Sequence, residues 1–245
     1  MVIKNDFINL KTYLPNLNEL ISFENHTITI DHDKDKLNIK GNGEILIEDK
    51  LDSINYQLIR SNGEFIFDTK TNLKNSKLLI DFLDYEKKEN LDASILIKGK
   101  LKKNNAINFD LISLIEKNNK IIFKKLNLSK NFKIINIDSF NFNYLNKMKI
   151  KNKLSLKRNN LNYNIEGESF DAMKLINGIM DSDDDNFSLF SNFNSKINLK
   201  INKTYINEVD SVNNLSGTLN YKKNKINDLD LKSTFSNNKT ITLSI

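Results

Sequence analysis

Phe140-Asn141-Phe142-Asn143-Tyr144 alternates ring and amide with a period of two. Successive side chains of an extended strand point to opposite faces, so the three aromatic rings share one side and the two amides the other. The pattern spreads outward from this stretch. Ile107, Phe109 and Leu111 alternate with Asn108 and Asp110, Leu161, Tyr163 and Ile165 with Asn162 and Asn164, and Ile197, Leu199 and Ile201 with Asn198 and Lys200. Thr27–Ile30, Gly43–Glu48 and Ile54–Leu58 open the series, and Ile241, Leu243 and Ile245 close it. Each segment reads as a half-buried strand, apolar on one face and wet on the other.

The punctuation between these strands is rich in asparagine. Asn62-Gly63, Asn104-Asn105, Asn118-Asn119, Asn159-Asn160 and Asn237-Asn238 fall where one alternating run stops and the next begins. Asn tolerates the left-handed backbone that tight hairpins need, so it replaces the glycine that is scarce here. Short, regular spacing between turns favours consecutive antiparallel hairpins over crossover helices. About fifteen strands follow from the count, more than a flat open sheet carries without curling. The expected fold is therefore mainly β: a long, curved, groove-like antiparallel sheet of repetitive hairpins with one or two short helices.

Two segments break the alternation. Phe7, Leu10, Leu14, Leu17, Leu20 and Ile21 have near-helical spacing interrupted by Pro15, so residues 1–25 are expected to be helical or irregular. Ser169 precedes a run with Met173, Ile176 and Met180 on one helical face, and Asp171 lies near its start, which predicts a short helix over 169–182 with Ser169 as N-cap. The repetitive sheet then occupies 26–168, and 187–245 supplies further strands of the same sheet. A period of roughly 55 residues recurs with drift. Ile39-Lys40-Gly41 returns as Ile97-Lys98-Gly99, Ile54–Leu58 as Ile107–Leu111, and Phe65-Ile66-Phe67 as Ile121-Ile122-Phe123.

Composition narrows the chemistry. The chain of 245 residues has no Cys, no Trp, one Pro and two His, which removes thiol catalysis, Cys-ligated zinc, iron–sulfur clusters and most imidazole chemistry. The formal net charge of +6 rests on lysine, since Arg60 and Arg158 are the two arginines. Basic side chains such as Lys98, Lys100, Lys102 and Lys103 lie among alternating apolar residues, a solvated sheet face rather than a nucleic-acid surface with interleaved aromatics. Met1-Val2-Ile3-Lys4-Asn5-Asp6 meets charge too early for a signal peptide, and no apolar run approaches the roughly 20 residues of a membrane span.

Motifs add little. Asp181, Asp183 and Asp185 resemble the first ligands of a calcium loop, but Asn186 replaces the turn glycine and Asn192 the bidentate Glu, so an acidic surface loop is the better reading. His26 and His32, with Asp31, Asp33 and Asp35, have no recognised metal spacing. No phosphate-binding glycine loop, nucleophile elbow or H-E-x-x-H helix occurs. The expectation is a non-enzyme with no catalytic residue, metal or cofactor.

The order of features from Leu161 to Ile245 resembles the C-terminal region of AsmA-like proteins, a bacterial envelope group that includes TamB-like members. It runs from Tyr163-Asn164-Ile165-Glu166-Gly167-Glu168 through Ser169–Ile176 and an acidic linker to Phe193–Ile201, then Val212–Tyr221 and Ile226–Leu231. The resemblance implies a curved sheet with an apolar interior, periplasmic and inner-membrane-associated, taking part in outer-membrane biogenesis and phospholipid transport between the membranes. Association with the membrane would come through a longer parent protein or a partner, and phospholipid acyl chains would be the ligand. The groove-facing residues expected on this basis are Ile107, Phe109, Leu111, Phe140, Phe142, Tyr144, Leu161, Tyr163, Ile165, Ile197, Leu199 and Ile201. Alternation alone fits equally a structural or adhesive β-solenoid or sandwich scaffold whose apolar face packs dry. A carbohydrate-active β-protein would need converging carboxylates and an aromatic platform.

Overall fold

A computed structural model describes residues 2–4, 20–33, 36–47, 49–103, 105–131, 133–174, 176, 194–222 and 225–245. The first half comprises β1 (Val2–Lys4), β2 (Leu20–Asp33), β3 (Lys36–Ile47), β4 (Lys50–Ser61), β5 (Glu64–Leu73), β6 (Leu78–Ile80), β7 (Tyr85–Lys87), β8 (Ala93–Leu101) and β9 (Ile107–Glu116). The second comprises β10 (Asn119–Leu128), β11 (Ile134–Asn136), β12 (Ser139–Leu145), β13 (Lys151–Asn159), β14 (Asn162–Asp171), β15 (Ser195–Tyr205), β16 (Ser211–Lys222), β17 (Lys225–Thr234) and β18 (Thr240–Ser244). All but β6 and β7 join one 16-stranded sheet that follows chain order, with β11 attached to β10 and the edges formed by β1 and β18. It is an open sheet, mainly antiparallel, but β14 and β15 pair in parallel, so the meander is interrupted once.

Turn chemistry explains the register. Among the described residues, Asn25, Asn62, Asn90, Asn105, Asn160, Asn214 and Asn238 all have positive φ, which makes asparagine the usual carrier of left-handed backbone in this chain. Asn62-Gly63, with φ of 52° and 76°, closes the β4–β5 hairpin through two left-handed residues, the turn whose twist matches that of the strands.

Two rungs traced across the sheet define its faces. One runs Ile28, Gly41, Tyr56, Thr69, Ile97, Ile112, Phe123, Phe140, Leu156, Ile165, Leu199, Gly217, Leu231, Leu243, each directly opposite the next. Thr69 is its one polar member. The adjacent rung on the other face runs Thr29, Lys40, Gln57, Asp68, Lys98, Leu111, Lys124, Ser139, Lys157, Asn164, Asn198, Thr218, Asp230, Ser244, and Leu111 is its one apolar member. Fourteen strands at about 4.8 Å spacing make an apolar band about 60 Å long, measured along the sheet. On the polar face, amides bond across strands: Gln57 Nε2 to Asn38 Oδ1 at 2.8 Å, Asn198 Nδ2 to Asn164 Oδ1 at 2.7 Å, Asn220 Nδ2 to Asp228 Oδ2 at 2.9 Å. Asparagine thus serves both the turns and the outer ladders.

The expected repeat maps onto two three-stranded meanders, β3–β5 and β8–β10. Gly41 and Gly99 occupy corresponding places on the apolar face, and a ring lies over each. A Cβ on Gly41 would sit 2.1 Å from the Tyr56 ring, and one on Gly99 would sit 2.9 Å from that of Phe67 and 2.3 Å from the Asn108 carbonyl. Glycine here lets a neighbouring aromatic fold across the strand, as Phe67 does to reach Phe109 at 5.8 Å.

Boundaries differ from expectation at both irregular segments. Leu20–Asp33 is strand, so the expected N-terminal helical or irregular segment 1–25 contributes β1 and the start of β2; its residues 5–19 lie outside the described residues. Ser169, Phe170 and Asp171 are still strand, paired with Lys203, Thr204 and Tyr205, and Ser169 donates its hydroxyl to the Lys151 carbonyl instead of capping a helix. Helical backbone appears at Met173, Lys174 and Ile176, where the Ile176 N–H donates to the Ala172 carbonyl at 2.8 Å, and Asp171 Oδ1 accepts from the Met173 N–H at 3.0 Å. The rest of the expected 169–182 helix, the Asp181–Asn186 cluster and Asn192 lie outside the described residues.

Candidate functional site: the apolar face and its plug

The apolar face is covered at its centre by the chain itself. Residues 74–92, between β5 and β8, form the small β6–β7 hairpin with a short 3-10 turn at Asp81–Leu83. Leu78, Leu83 and Tyr85 join Leu73, Leu114, Ile121, Phe142, Tyr144, Leu154 and Ile201 in one buried cluster. Phe140 and Phe142 stack at 4.3 Å between centroids, and Tyr85 meets Tyr144 edge to face at 5.7 Å. A second cluster, Leu126, Ile137, Leu156 and Tyr163, forms beside β11.

Polar anchors hold this plug in place. Asp52 on β4 is 4% exposed and receives the backbone N–H groups of Lys74 at 2.7 Å, Asn75 at 2.9 Å and Ser76 at 2.9 Å. Lys87 on β7 is fully buried and donates to the carbonyls of Lys74 at 2.9 Å and Ser76 at 2.5 Å. One three-residue loop therefore gives its amides to an anion and its carbonyls to a cation. Burial alone would raise the Asp52 pKa, but hydrogen bonds from Ser76, Asn75 and Lys74 outweigh it and hold the carboxyl below its usual range. Burial lowers the Lys87 pKa, opposed by the charges of Asp52, Glu116, Asp92 and Glu89.

Further anchors span the sheet. The Tyr85 hydroxyl donates to Glu116 Oε2 at 2.5 Å, the Tyr144 hydroxyl to the Leu83 carbonyl at 2.9 Å, and Lys174 Nζ reaches Asp81 Oδ1 at 2.7 Å. Burial pushes the Tyr85 phenol far up, helped by Glu116, and pushes the Tyr144 phenol up as well. Asn146 Nδ2 bonds Asp171 Oδ2 at 2.7 Å and its Oδ1 accepts from the Ile150 N–H at 2.8 Å, fixing the β12–β13 turn beneath the plug. Every charged group in this set has a structural partner.

Toward the sheet ends the face is uncovered by described residues. Ile28 and Ile30 on β2 are 41% and 62% exposed, and Leu243 and Ile245 at β18 are 54% and 73% exposed. Half-buried Leu37, Ile39, Leu58 and Phe65 continue the first of these flanks inward. His26 belongs to this flank, its ring over Gly43 and stacked on Tyr56 at 5.8 Å, with Nδ1 3.0 Å from the Glu24 carbonyl.

Of the twelve residues expected to share one apolar face, Ile107, Phe109, Phe140, Phe142, Tyr144, Tyr163, Ile165, Ile197, Leu199 and Ile201 do so by register. Leu111 does not. Lys125 has φ of 49° and Asp110 is the extra residue of a bulge where Lys98 pairs Leu111 but Gly99 pairs Phe109, so Leu111 turns to the polar face. Leu161 lies in the β13–β14 turn and is 77% exposed. Phe142, Tyr144, Tyr163 and Ile201 are buried in the two clusters and have no free surface for a ligand. Sequence reasoning missed the plug, Asp52, Lys87 and the exposed flanks. The signal available was a further long interruption of the alternation, between Leu73 and Ala93.

Comparison with protein-family models, curated proteins and solved structures finds no match for this chain. Among the described residues no helix is long and apolar enough to cross a membrane. What defines the class is thus the architecture: a long, open, mainly antiparallel sheet with one apolar and one polar face and an internal plug.

Proposed function

We propose that this protein is a non-enzymatic binder of phospholipid acyl chains, which lie along the uncovered flanks of its apolar face. The observation that carries this is the rung from Ile28 to Leu243, apolar but for Thr69, with exposed aliphatic residues at both ends. Each buried CH2 contributes about 0.8 kcal/mol, so a hydrocarbon chain laid on such a flank gains affinity without a single polar contact. The resemblance of residues 161–245 to AsmA-like proteins supports a periplasmic, inner-membrane-associated setting and a part in phospholipid transport and outer-membrane biogenesis.

A second reading has its own observation. The buried clusters and the anchored plug suit a rigid structural or adhesive scaffold whose exposed flanks are merely the ends of the sheet. The two separate in native mass spectrometry with lipid extraction on gently purified protein. Co-purified phospholipid that is lost on Ile30→Asp with Leu243→Asp supports lipid binding, and both positions are exposed enough to accept charge without unfolding. A folded protein free of lipid that takes up none when phospholipid is added overturns it in favour of the scaffold.

A further inference from the structure

We propose that the polar face carries a second functional surface, a lysine-fringed aliphatic patch on β8–β10 that docks on an anionic phospholipid bilayer. It shares no residue with the apolar flanks and does not rest on their reading. Ser113 on β9 is directly opposite Leu96 on β8 and Ile122 on β10, and Leu111 and Ile115 lie two residues to either side of it on its own strand. All five face away from the plug. Leu96, Leu111, Ile115 and Ile122 belong to neither buried cluster, and Ile115 is 42% exposed. Ser113 is nevertheless only 8% exposed, because this diamond of aliphatic side chains surrounds it. Leu111-Ile112-Ser113-Leu114-Ile115 is therefore apolar on both faces, the pattern of a strand covered from both sides. The plug side supplies one cover.

Charge identifies the other. Lys98 and Lys124 flank Leu111 in register, Lys120 flanks Ile115, and Lys70 flanks Leu96. Lys98 is paired with Asp68 at 2.7 Å, whereas Lys70, Lys120 and Lys124 are exposed and make no ion pair among the described residues. Protein-binding hot spots concentrate Tyr, Trp and Arg and are poor in Lys. This patch has none of the three. Arg60 and Arg158 both face the apolar side, opposite Phe65 and Tyr163. Aliphatic side chains ringed by long, flexible lysines suit a lipid interface, where the stems lie on the hydrocarbon boundary and the ammonium groups reach phosphate. A nucleic acid would call for stacking aromatics, which are missing from the diamond.

The test is flotation of the full chain with vesicles of phosphatidylcholine alone and of phosphatidylcholine mixed with phosphatidylglycerol. Binding should require phosphatidylglycerol and weaken as salt rises. Each lysine near an anionic surface is worth about fivefold, so Lys120→Ser with Lys124→Ser should weaken binding about 25-fold. The charge-matched control Lys222→Ser with Lys239→Ser, at exposed positions on β16 and before β18, should bind as the unmodified chain does. Equal flotation with both vesicle types, no flotation at low salt, or an unaltered Lys120/Lys124 variant would each overturn the proposal. Because co-purified lipid is measured separately, loss of one activity without the other is visible.

Discussion

Changing Asp52 to Asn probes the plug most directly. The carboxylate is 4% exposed and serves three backbone donors, two on Oδ1 and one on Oδ2. An amide keeps the shape but must turn an NH2 toward one donor side, so at least one N–H loses its acceptor and the remaining bonds lose their charge. Hydrogen bonds to charged groups contribute about 1.5–3 kcal/mol each, and leaving a buried donor without its acceptor costs about 1–3 kcal/mol. Lys87 meanwhile loses the strongest of the charges that favour its protonated form. A destabilisation on the order of 4 kcal/mol is expected at pH 7, a large share of the roughly 5–15 kcal/mol of a typical fold. Because the Asp52 pKa is lowered on folding, its contribution is fully present above the unfolded value near 3.9 and is lost as pH falls through the folded one. Urea unfolding measured from pH 7 to pH 2 should show the gap between the two proteins closing at the acid end. Hydrogen exchange should report faster amides at Lys74, Asn75 and Ser76. A variant within about 1 kcal/mol of the parent, with those three amides still protected, would refute the clasp.

Other expectations follow from single contacts. Tyr144→Phe strands the buried Leu83 carbonyl and should cost about 1–3 kcal/mol in the same urea assay, whereas Leu161→Asp at its exposed turn should stay within about 0.5 kcal/mol. Gly217→Ala puts a Cβ 1.9 Å from the Asp230 carbonyl at a φ of 147°, so the β16–β17 pairing should loosen by several kcal/mol, visible as a lower Tm. Tyr85 and Tyr144, whose phenols burial raises furthest, should remain unionised in an absorbance titration beyond pH 10, until the chain unfolds. Their raised phenols stabilise the fold below the unfolded value near 10, and that stabilisation fades as pH rises above it.

The strands were legible because alternation reports a local property, the two-sidedness of a sheet, and ten of twelve expected face residues obey it. Leu111 shows where the reasoning fails. The sequence keeps alternating through Asp110, but the bulge paired with the left-handed Lys125 shifts the face, and its cause lies on neighbouring strands. The plug was illegible for a different reason. Leu78, Leu83 and Tyr85 have no periodicity of their own and are buried only because Leu73, Leu114, Ile121, Phe142 and Tyr144, from four different strands, lie beneath them. Asp52 looks like any polar residue at a strand start until the loop 22 residues onward returns to it. The parallel β14–β15 pair likewise depends on a crossover that no short pattern announces.

The plug also sets the terms on which the apolar face can act. Its centre is not a vacant seat: displacing residues 74–92 would expose the Lys87 ammonium and the Asp52 carboxylate together and release Tyr85 from Glu116. Those costs add to several kcal/mol before any lipid is bound, whereas Ile28, Ile30, Leu243 and Ile245 beyond the plug are already exposed. On the proposed reading a ligand therefore binds on either side of the plug, and each flank stands alone. Ile30→Asp should remove lipid from the β2–β5 flank and leave the β16–β18 flank loaded, with Leu243→Asp doing the reverse. Native mass spectra of the single variants would then show roughly half the parent's bound lipid, and the double variant none. A single substitution that emptied the protein completely would mean that one continuous site crosses the centre, and the plug would then have to move.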